Sequence, residues 1–220
     1  MERIPEPELM NGPEQARAYA EADFEEPNSR FVRLFRETFP DLSPAAILDL
    51  GCGPADITIR LARFYPEALV DGVDGAPAML RFGQEAVAAA GLSERVRLWE
   101  CVLPALSLPP RPYGAIVSNS LLHHLPDPAV LWRTIRARAA KGCAVLVMDL
   151  RRPAGRADAA AIVEKYSGSE PAVLKRDFFN SLLAAFRPGE VAVQLKRAGL
   201  SGLQVREASD RHLAVTGILA

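Results

Sequence analysis

The chain has 220 residues, 49% hydrophobic and 24% charged, which suits one globular domain able to bury a core of ordinary size. Its 26 Lys and Arg against 27 Asp and Glu give a formal net charge of −1, which excludes whole-molecule steering toward nucleic acid or an anionic membrane. No apolar run reaches the roughly 18 residues of a membrane span, the N-terminal MERIPEPELMNGPEQ lacks the basic and apolar regions of a secretory signal, and Cys52, Cys101 and Cys143 form neither a CxxC pair nor a disulfide framework. The expectation is a cytoplasmic protein with inert core thiols.

Residues 1–44 read as a leader and a helix. Pro27, Asn28 and Ser29 offer a start, Phe31, Leu34, Phe35 and Thr38 fall at helical spacing, and Pro40 and Pro44 bracket the end. Residues 45–50 (AAILDL) predict a buried strand running into a glycine turn, followed by a helix over 57–64 and a strand over 69–74. An alanine-rich helix spans 77–90, with Gly91 suited to its C-terminal stop. Strands at 96–102 and 115–119 flank the proline-rich stretch 104–112. A helix over 128–140, Gly142, and the strand 144–150 (AVLVMDL) follow. This alternation predicts parallel βαβ units and a sheet covered on both faces. It breaks after Leu150, where 151–187 reads as a helical insertion over the sheet. A helix at 190–198 and two strands, 203–207 and 213–219, joined by a short polar turn as an antiparallel pair, complete the chain.

The chemistry concentrates at Asp49-Leu50-Gly51-Cys52-Gly53-Pro54-Ala55-Asp56, a strand-to-helix turn. Glycines at 51 and 53 permit positive φ and leave room for a ligand against the backbone. Open α/β sheets bind ligands at the carboxyl ends of their strands, and the next helix presents unpaired amides there. A dinucleotide would want a glycine where Asp56 stands, and that carboxylate would repel a pyrophosphate. A ligand carrying a sulfonium, an ammonium and a carboxylate suits the mix of Asp49, Asp56 and open amides better. S-adenosyl-L-methionine is such a ligand.

At these residues the sequence resembles the class I S-adenosylmethionine-dependent methyltransferases of small-molecule type. The resemblance rests on LDLGCGPADITIRLA, on Val70-Asp71-Gly72-Val73-Asp74-Gly75-Ala76, on Tyr113–Asn119 followed by Leu122-His123-His124-Leu125-Pro126-Asp127-Pro128, and on the strand ending at Asp149. It implies a Rossmann-like α/β sheet of about seven strands, mostly parallel with an antiparallel C-terminal strand, and helices on both faces. The single domain 1–220 would comprise an N-terminal helical cap segment (1–44), a cofactor-binding core (45–150), a cap insertion (151–187) and a C-terminal helix with its strand pair (188–220). For the cofactor it implies contacts from Asp49, Gly51, Cys52, Gly53, Asp56, Gly75, Met79, Cys101, Val102 and Asn119, with Asp74 on the ribose hydroxyls. Two positions depart from the family's pattern: Ala55 replaces the third loop glycine, and Val102 stands where an acid usually meets the adenine amine.

On the acceptor side, His123 and His124 are candidate general bases for a substrate OH or NH. A metal role lacks a third ligand, since the only other histidine, His212, is far along the chain; no metal is expected. Arg151 and Arg152 follow the fifth strand where they could grip a carboxylate or phosphate. Asp177, Asn180 and Ser181 lie three and four residues apart on a predicted cap helix, and Tyr19 and Phe24 could close the same pocket. The function expected is in-line methyl transfer to a small-molecule acceptor, with no nucleic-acid or membrane partner; a homodimer is left open. The rival readings are a non-catalytic cofactor-binding or scaffolding protein, an RNA methyltransferase, and a nucleotide-sugar or NAD enzyme.

Overall fold

The computed structural model describes residues 1–6, 12, 17–20, 22, 24–105 and 108–220. The rest of the N-terminal cap segment and part of the stretch 104–112 lie outside the described residues. Among those described, the order after a helical turn at 17–20 is α1 (Glu25–Thr38), β1 (Ala46–Leu50), α2 (Asp56–Phe64), β2 (Leu69–Asp74), α3 (Pro77–Ala89), β3 (Val96–Glu100) and β4 (Tyr113–Asn119). A 3-10 turn (Leu122–His124), α4 (Ala129–Arg138), β5 (Ala139–Leu150), α5 (Arg156–Ser167), α6 (Ala172–Ala184), α7 (Pro188–Arg197), β6 (Gln204–Glu207) and β7 (His212–Ile218) follow.

The seven strands form one sheet in the order β3-β2-β1-β4-β5-β7-β6. Pairings β1–β2, β1–β4, β2–β3 and β4–β5 are parallel, while β7 runs antiparallel to both β5 and β6. The order reverses direction beside β1, between β2 and β4, which opens a crevice at the carboxyl ends of these strands. Alternation along β1 sorts its side chains. Ile47 joins a core with Phe31, Phe35 and Leu61 on one face, whereas Leu48 and Leu50 join Trp132, Ile135, Val191 and Leu195 on the other. Helices α1 and α2 therefore cover the first face and α4 and α7 the second, because each offers its apolar stripe to a sheet buried on both sides.

The largest boundary difference lies in β5. Its pairing begins at Ala139 rather than 144, so α4 ends at Arg138 and Gly142 (φ +78°) sits inside the strand rather than between the helix and the strand. Pairing of Tyr113 with Ala139 across a register shift wins over the helical pattern of that segment. The insertion 151–187 folds as α5 and α6, which pack Ala159, Val163, Leu182 and Leu183 against Leu150 as a small separate core at the sheet's carboxyl edge. Residues 1–6 are laced onto this cap: the terminal amine donates to Ala154 O at 3.0 Å and Ile4 N to Leu183 O at 3.0 Å.

Candidate cofactor and acceptor site

The turn after β1 is tied to the tip of β2. Gly51 N and Cys52 N both donate to Val73 O (2.8 and 3.0 Å), and Gly53 N donates to Asp74 Oδ2 at 2.8 Å. Gly51 adopts φ +77°, and a Cβ there would stand 2.9 Å from Leu121 Cβ, so conformation and space both demand glycine. At Gly53 (φ +52°) a Cβ would meet nothing within 4 Å, so this side of the loop is open. Ala55, in the place of the third glycine, is itself left-handed (φ 66°) and fully buried; its small side chain leaves the loop geometry intact.

Asp49 is buried on the α2 face and accepts a 2.6 Å hydrogen bond from Thr58 Oγ1. Burial pushes its carboxyl up to about 7, with the nearby Asp74 carboxylate adding to the rise. Asp74 is raised in the same direction by burial, against the pull of the Ala76 and Gly53 amides. Asp74 Oδ2 accepts the Gly53 amide and Oδ1 the Ala76 amide, and the carboxylate keeps lone-pair capacity for a further donor. Asp56 is less available than the sequence suggests: it accepts 2.7 Å bonds from Asn28 Nδ2 and Arg60 Nε, so its charge is compensated on the protein. Cys52 turns its sulfur toward Gly72 and, with its thiol pushed up by burial, is inert packing beside the loop.

A cavity of about 460 Å³ runs along the carboxyl edge of the sheet. Gly51, Gly53, Asp74, Gly75, Met79, Cys101, Val102 and Asn119 line one half. His123, His124, Phe178, Asp177, Ser181 and Arg211 line the other, with Tyr19 and Phe24 also on its wall, their rings 4.6 Å apart. A smaller space of about 260 Å³ adjoins it and reaches Asp49, Cys52 and Asp56. Asn119 contacts both, and its buried Oδ1 has no hydrogen-bond partner. A buried acceptor oxygen without a donor is costly, so it fits a ligand ammonium. With two acid oxygens at Asp74 for a diol and an apolar slot at Met79, Cys101 and Val102 for a flat ring, the residues present fit S-adenosylmethionine.

Three residues expected at the substrate leave the cavity. Arg152 is buried in a structural clasp, donating to Ala185 O (2.9 Å) and Glu190 Oε1 (2.5 Å). Arg151 reaches outward to Glu207 Oε1 (2.7 Å) and Asp210 O (3.2 Å). The backbone of Arg151 bridges to Phe186, and the two side chains tie the strand end to different neighbours, Arg151 to the β6–β7 hairpin and Arg152 to the end of the cap and α7. Asn180 is exposed, because α6 shows the cavity the face that carries Asp177 and Ser181.

The histidines are held by partners that sequence reasoning missed. His123 is buried with Nδ1 2.6 Å from Asp149 Oδ1, and Asp149 also accepts the Leu122 and Leu150 amides at 2.7 Å each. Burial alone would lower the His123 pKa, but the Asp149 carboxylate outweighs it and the pKa is raised. His124 is lowered by burial and by His123; its Nδ1 stands 2.9 Å from Glu6 Oε2 without an aligned hydrogen bond. Arg3 fixes this turn from below, donating to His123 O (2.9 Å), Leu125 O (3.2 Å) and Ala184 O (2.6 Å) with its guanidinium over the Phe186 ring. An acid ending an apolar strand was the signal for Asp149. Nothing local marks Glu6 or Arg3, whose partners lie more than a hundred residues away.

A Rossmann-like sheet with this loop, this acid and this cavity has the architecture of the class I methyltransferases. Comparison with known proteins bears this out: residues 47–142 match the family model described as a methyltransferase domain. The chain is 29% identical over 167 residues to a ubiquinone biosynthesis O-methyltransferase of Xylella fastidiosa, covering 72% of this chain and 62% of that protein. It is 34% identical over 92 residues to a trans-aconitate 2-methyltransferase of Rhodococcus jostii, covering 41% and 32%. It thus spans from a third to under two thirds of the length of these relatives. Its fold is similar to that of the plantazolicin methyltransferase BpumL in complex with a desmethylPZN analog and SAH, with a TM-score of 0.72 at 13% identity over 94% of this chain and 92% of that one. Residues 47–142 thus match a methyltransferase domain, and the sheet around them has the fold of S-adenosylmethionine-dependent methyltransferases.

Proposed function

We propose that the chain transfers a methyl group from S-adenosylmethionine to a small-molecule acceptor in the cytoplasm. The observation that carries this is the continuity of the cavity, which joins the cofactor loop, Asp74 and Asn119 to the His123–His124 pair under the cap. S-adenosylmethionine supplies an activated sulfonium methyl. The protein's task is then to align a nucleophile in line with it and to keep water out. In this reading Asp74 holds the ribose hydroxyls, Asn119 and Asp49 meet the ammonium, and Met79, Cys101 and Val102 pack the adenine. His123 and His124 meet the acceptor's nucleophilic atom and draw on its proton, while Phe24, Tyr19, Phe178, Asp177 and Ser181 shape its chamber.

The likeness to an O-methyltransferase favours an oxygen nucleophile. The net charge of −1 and an acceptor chamber with more acids than cations favour a small molecule over RNA. Three cysteines, all free and buried, fit a reducing compartment, and no helix among the described residues is long and apolar enough to cross a membrane. Calorimetric titration with S-adenosylmethionine and S-adenosylhomocysteine tests the reading. Micromolar binding that is lost in Asp74→Ala is expected; no binding at millimolar ligand would overturn it. Binding without turnover of any hydroxylated acceptor would favour the scaffolding alternative.

A further inference from the structure

The same corner of the cavity carries a donor set that methyl transfer does not require. The N-terminal strap brings Glu6 against the 3-10 turn, and one ligand atom each from Glu6, His123 and His124 lie within 4.8 Å of one another. The strap, the 3-10 turn and α6 converge here from three distant parts of the sequence. Two imidazoles and one carboxylate, with a side open to a ligand chamber, are the protein ligands of catalytic zinc sites.

Three further features fit a metal better than a hydrogen-bonded pair. Asp149 accepts the Leu122 amide on one oxygen, and the Leu150 amide on the other beside His123 Nδ1, so it stays an acceptor, directs the His123 proton to Nδ1 and leaves the Nε2 lone pair for a ligand. A carboxylate behind a ring nitrogen is the usual outer partner of a metal-bound histidine. His124 Nδ1 is buried and has no aligned hydrogen bond although Glu6 Oε2 is 2.9 Å away, which leaves this ring nitrogen short of a partner beside a carboxylate. Ser181 Oγ donates to Glu6 (3.1 Å to Oε1, 3.3 Å to Oε2), orienting the carboxylate as outer-sphere donors do.

We propose that Glu6, His123 and His124 bind a divalent transition ion of the zinc class, with an open coordination position facing the acceptor chamber. The ion would hold the acceptor's oxygen directly and acidify its proton, in place of the direct histidine contact given above. That role rests on the methyltransferase reading; uptake of the ion does not.

Tag-free protein stripped with a chelator and titrated with cobalt(II) chloride decides the matter, followed by visible absorption, with zinc chloride titrated in a calorimeter. One equivalent should bind with the ligand-field bands of a nitrogen and oxygen site. The double variant His123→Ala/His124→Ala should lose uptake. Glu6→Gln and Asp149→Asn should each weaken it roughly 10- to 100-fold, all with circular dichroism unchanged. S-adenosylmethionine affinity, measured on the same samples, should stay within about twofold because these residues lie on the acceptor side. Absence of stoichiometric uptake by the wild-type protein, or uptake that persists in the double variant, overturns the site. Loss of cofactor binding with metal uptake intact would instead sink the methyltransferase reading alone.

Discussion

The two halves of the cavity are built on different principles. The cofactor half comes from three strands that are neighbours in the sheet: the loop after β1, the tip of β2 and the end of β4, held together by sheet pairing. The acceptor half is assembled from residues 1–6, the 3-10 turn and α6, held by side-chain bonds that span up to 181 residues. The first is a property of the sheet and lies within the fold that solved methyltransferase structures share with this chain. The second depends on long-range contacts, each worth about 1 kcal/mol, and is where this chain can differ from them in what it accepts.

The sharpest way to break that contrast is at Asp74. Asp74→Ala should weaken S-adenosylmethionine binding roughly a hundredfold, about 3 kcal/mol, since two charge-assisted hydrogen bonds are at stake; a loss under threefold by calorimetry would deny the cofactor half its anchor. Arg152→Ala should leave that affinity unchanged and lower unfolding stability in urea by about 3 kcal/mol, because it strips a buried cation and its clasp on Glu190 and Ala185. Unchanged stability with impaired turnover would return this arginine to the substrate. Deleting residues 1–6 should cost about 2 kcal/mol of stability, through the loss of the Arg3 and Ile4 bonds. It should reduce turnover while the cofactor's dissociation constant stays within about twofold; a larger change in that constant would show the halves to be coupled.

A pH titration sharpens the contrast on the cofactor side. Asp49, with its pKa pushed up to about 7 by burial, holds a proton below that pH. A bound ammonium beside it favours the carboxylate, so binding expels the proton. Affinity should then rise with pH, by at most about tenfold per unit, and level off above about 7. Asp49→Asn should flatten the profile. The unliganded protein should show the opposite sign. An acid whose folded pKa exceeds its free value binds more protons folded than unfolded, so stability falls as pH rises from about 4 toward about 7. The smallest expected effect is Ala55→Gly. Relief of a left-handed alanine, worth about 1–2 kcal/mol, is offset by a lost buried methyl of about 0.8 kcal/mol and by glycine's added chain entropy of about 0.5–1 kcal/mol. The midpoint in urea should therefore move by less than about 1 kcal/mol in stability. A large stabilisation would mean that the loop is strained for function.

Much of the cofactor half was legible in the sequence. Asp49, Gly51, Gly53 and Asp74 stand where the strand–turn–helix pattern puts them, because a glycine turn and an acid at a strand's end are local features, and the parallel pairing of β1 with β2 then brings them together. The reading of Asp56 was sound in charge and incomplete in partner: Arg60, one helical turn on, neutralises it. On the acceptor side, Asp177 and Ser181 share the face of α6 that lines the cavity, as their spacing allows, whereas Arg151, Arg152 and Asn180 do not line it. Helical spacing says which residues share a face; it does not say which way that face turns, nor that the backbone after β5 bridges to Phe186.

The sequence by itself therefore determined the order of strands and helices, the glycine turn, the acid at the tip of β2 and the class of cofactor they suit. These follow from local periodicity, from backbone conformations that only small residues adopt readily, and from short-range spacing. Only the tertiary structure decided that Glu6 stands beside His124, that Asp149 orients His123, and that two arginines serve the scaffold. Those facts depend on contacts between segments far apart in the chain, and a carboxylate six residues from the N-terminus carries no local mark of the imidazole it will meet.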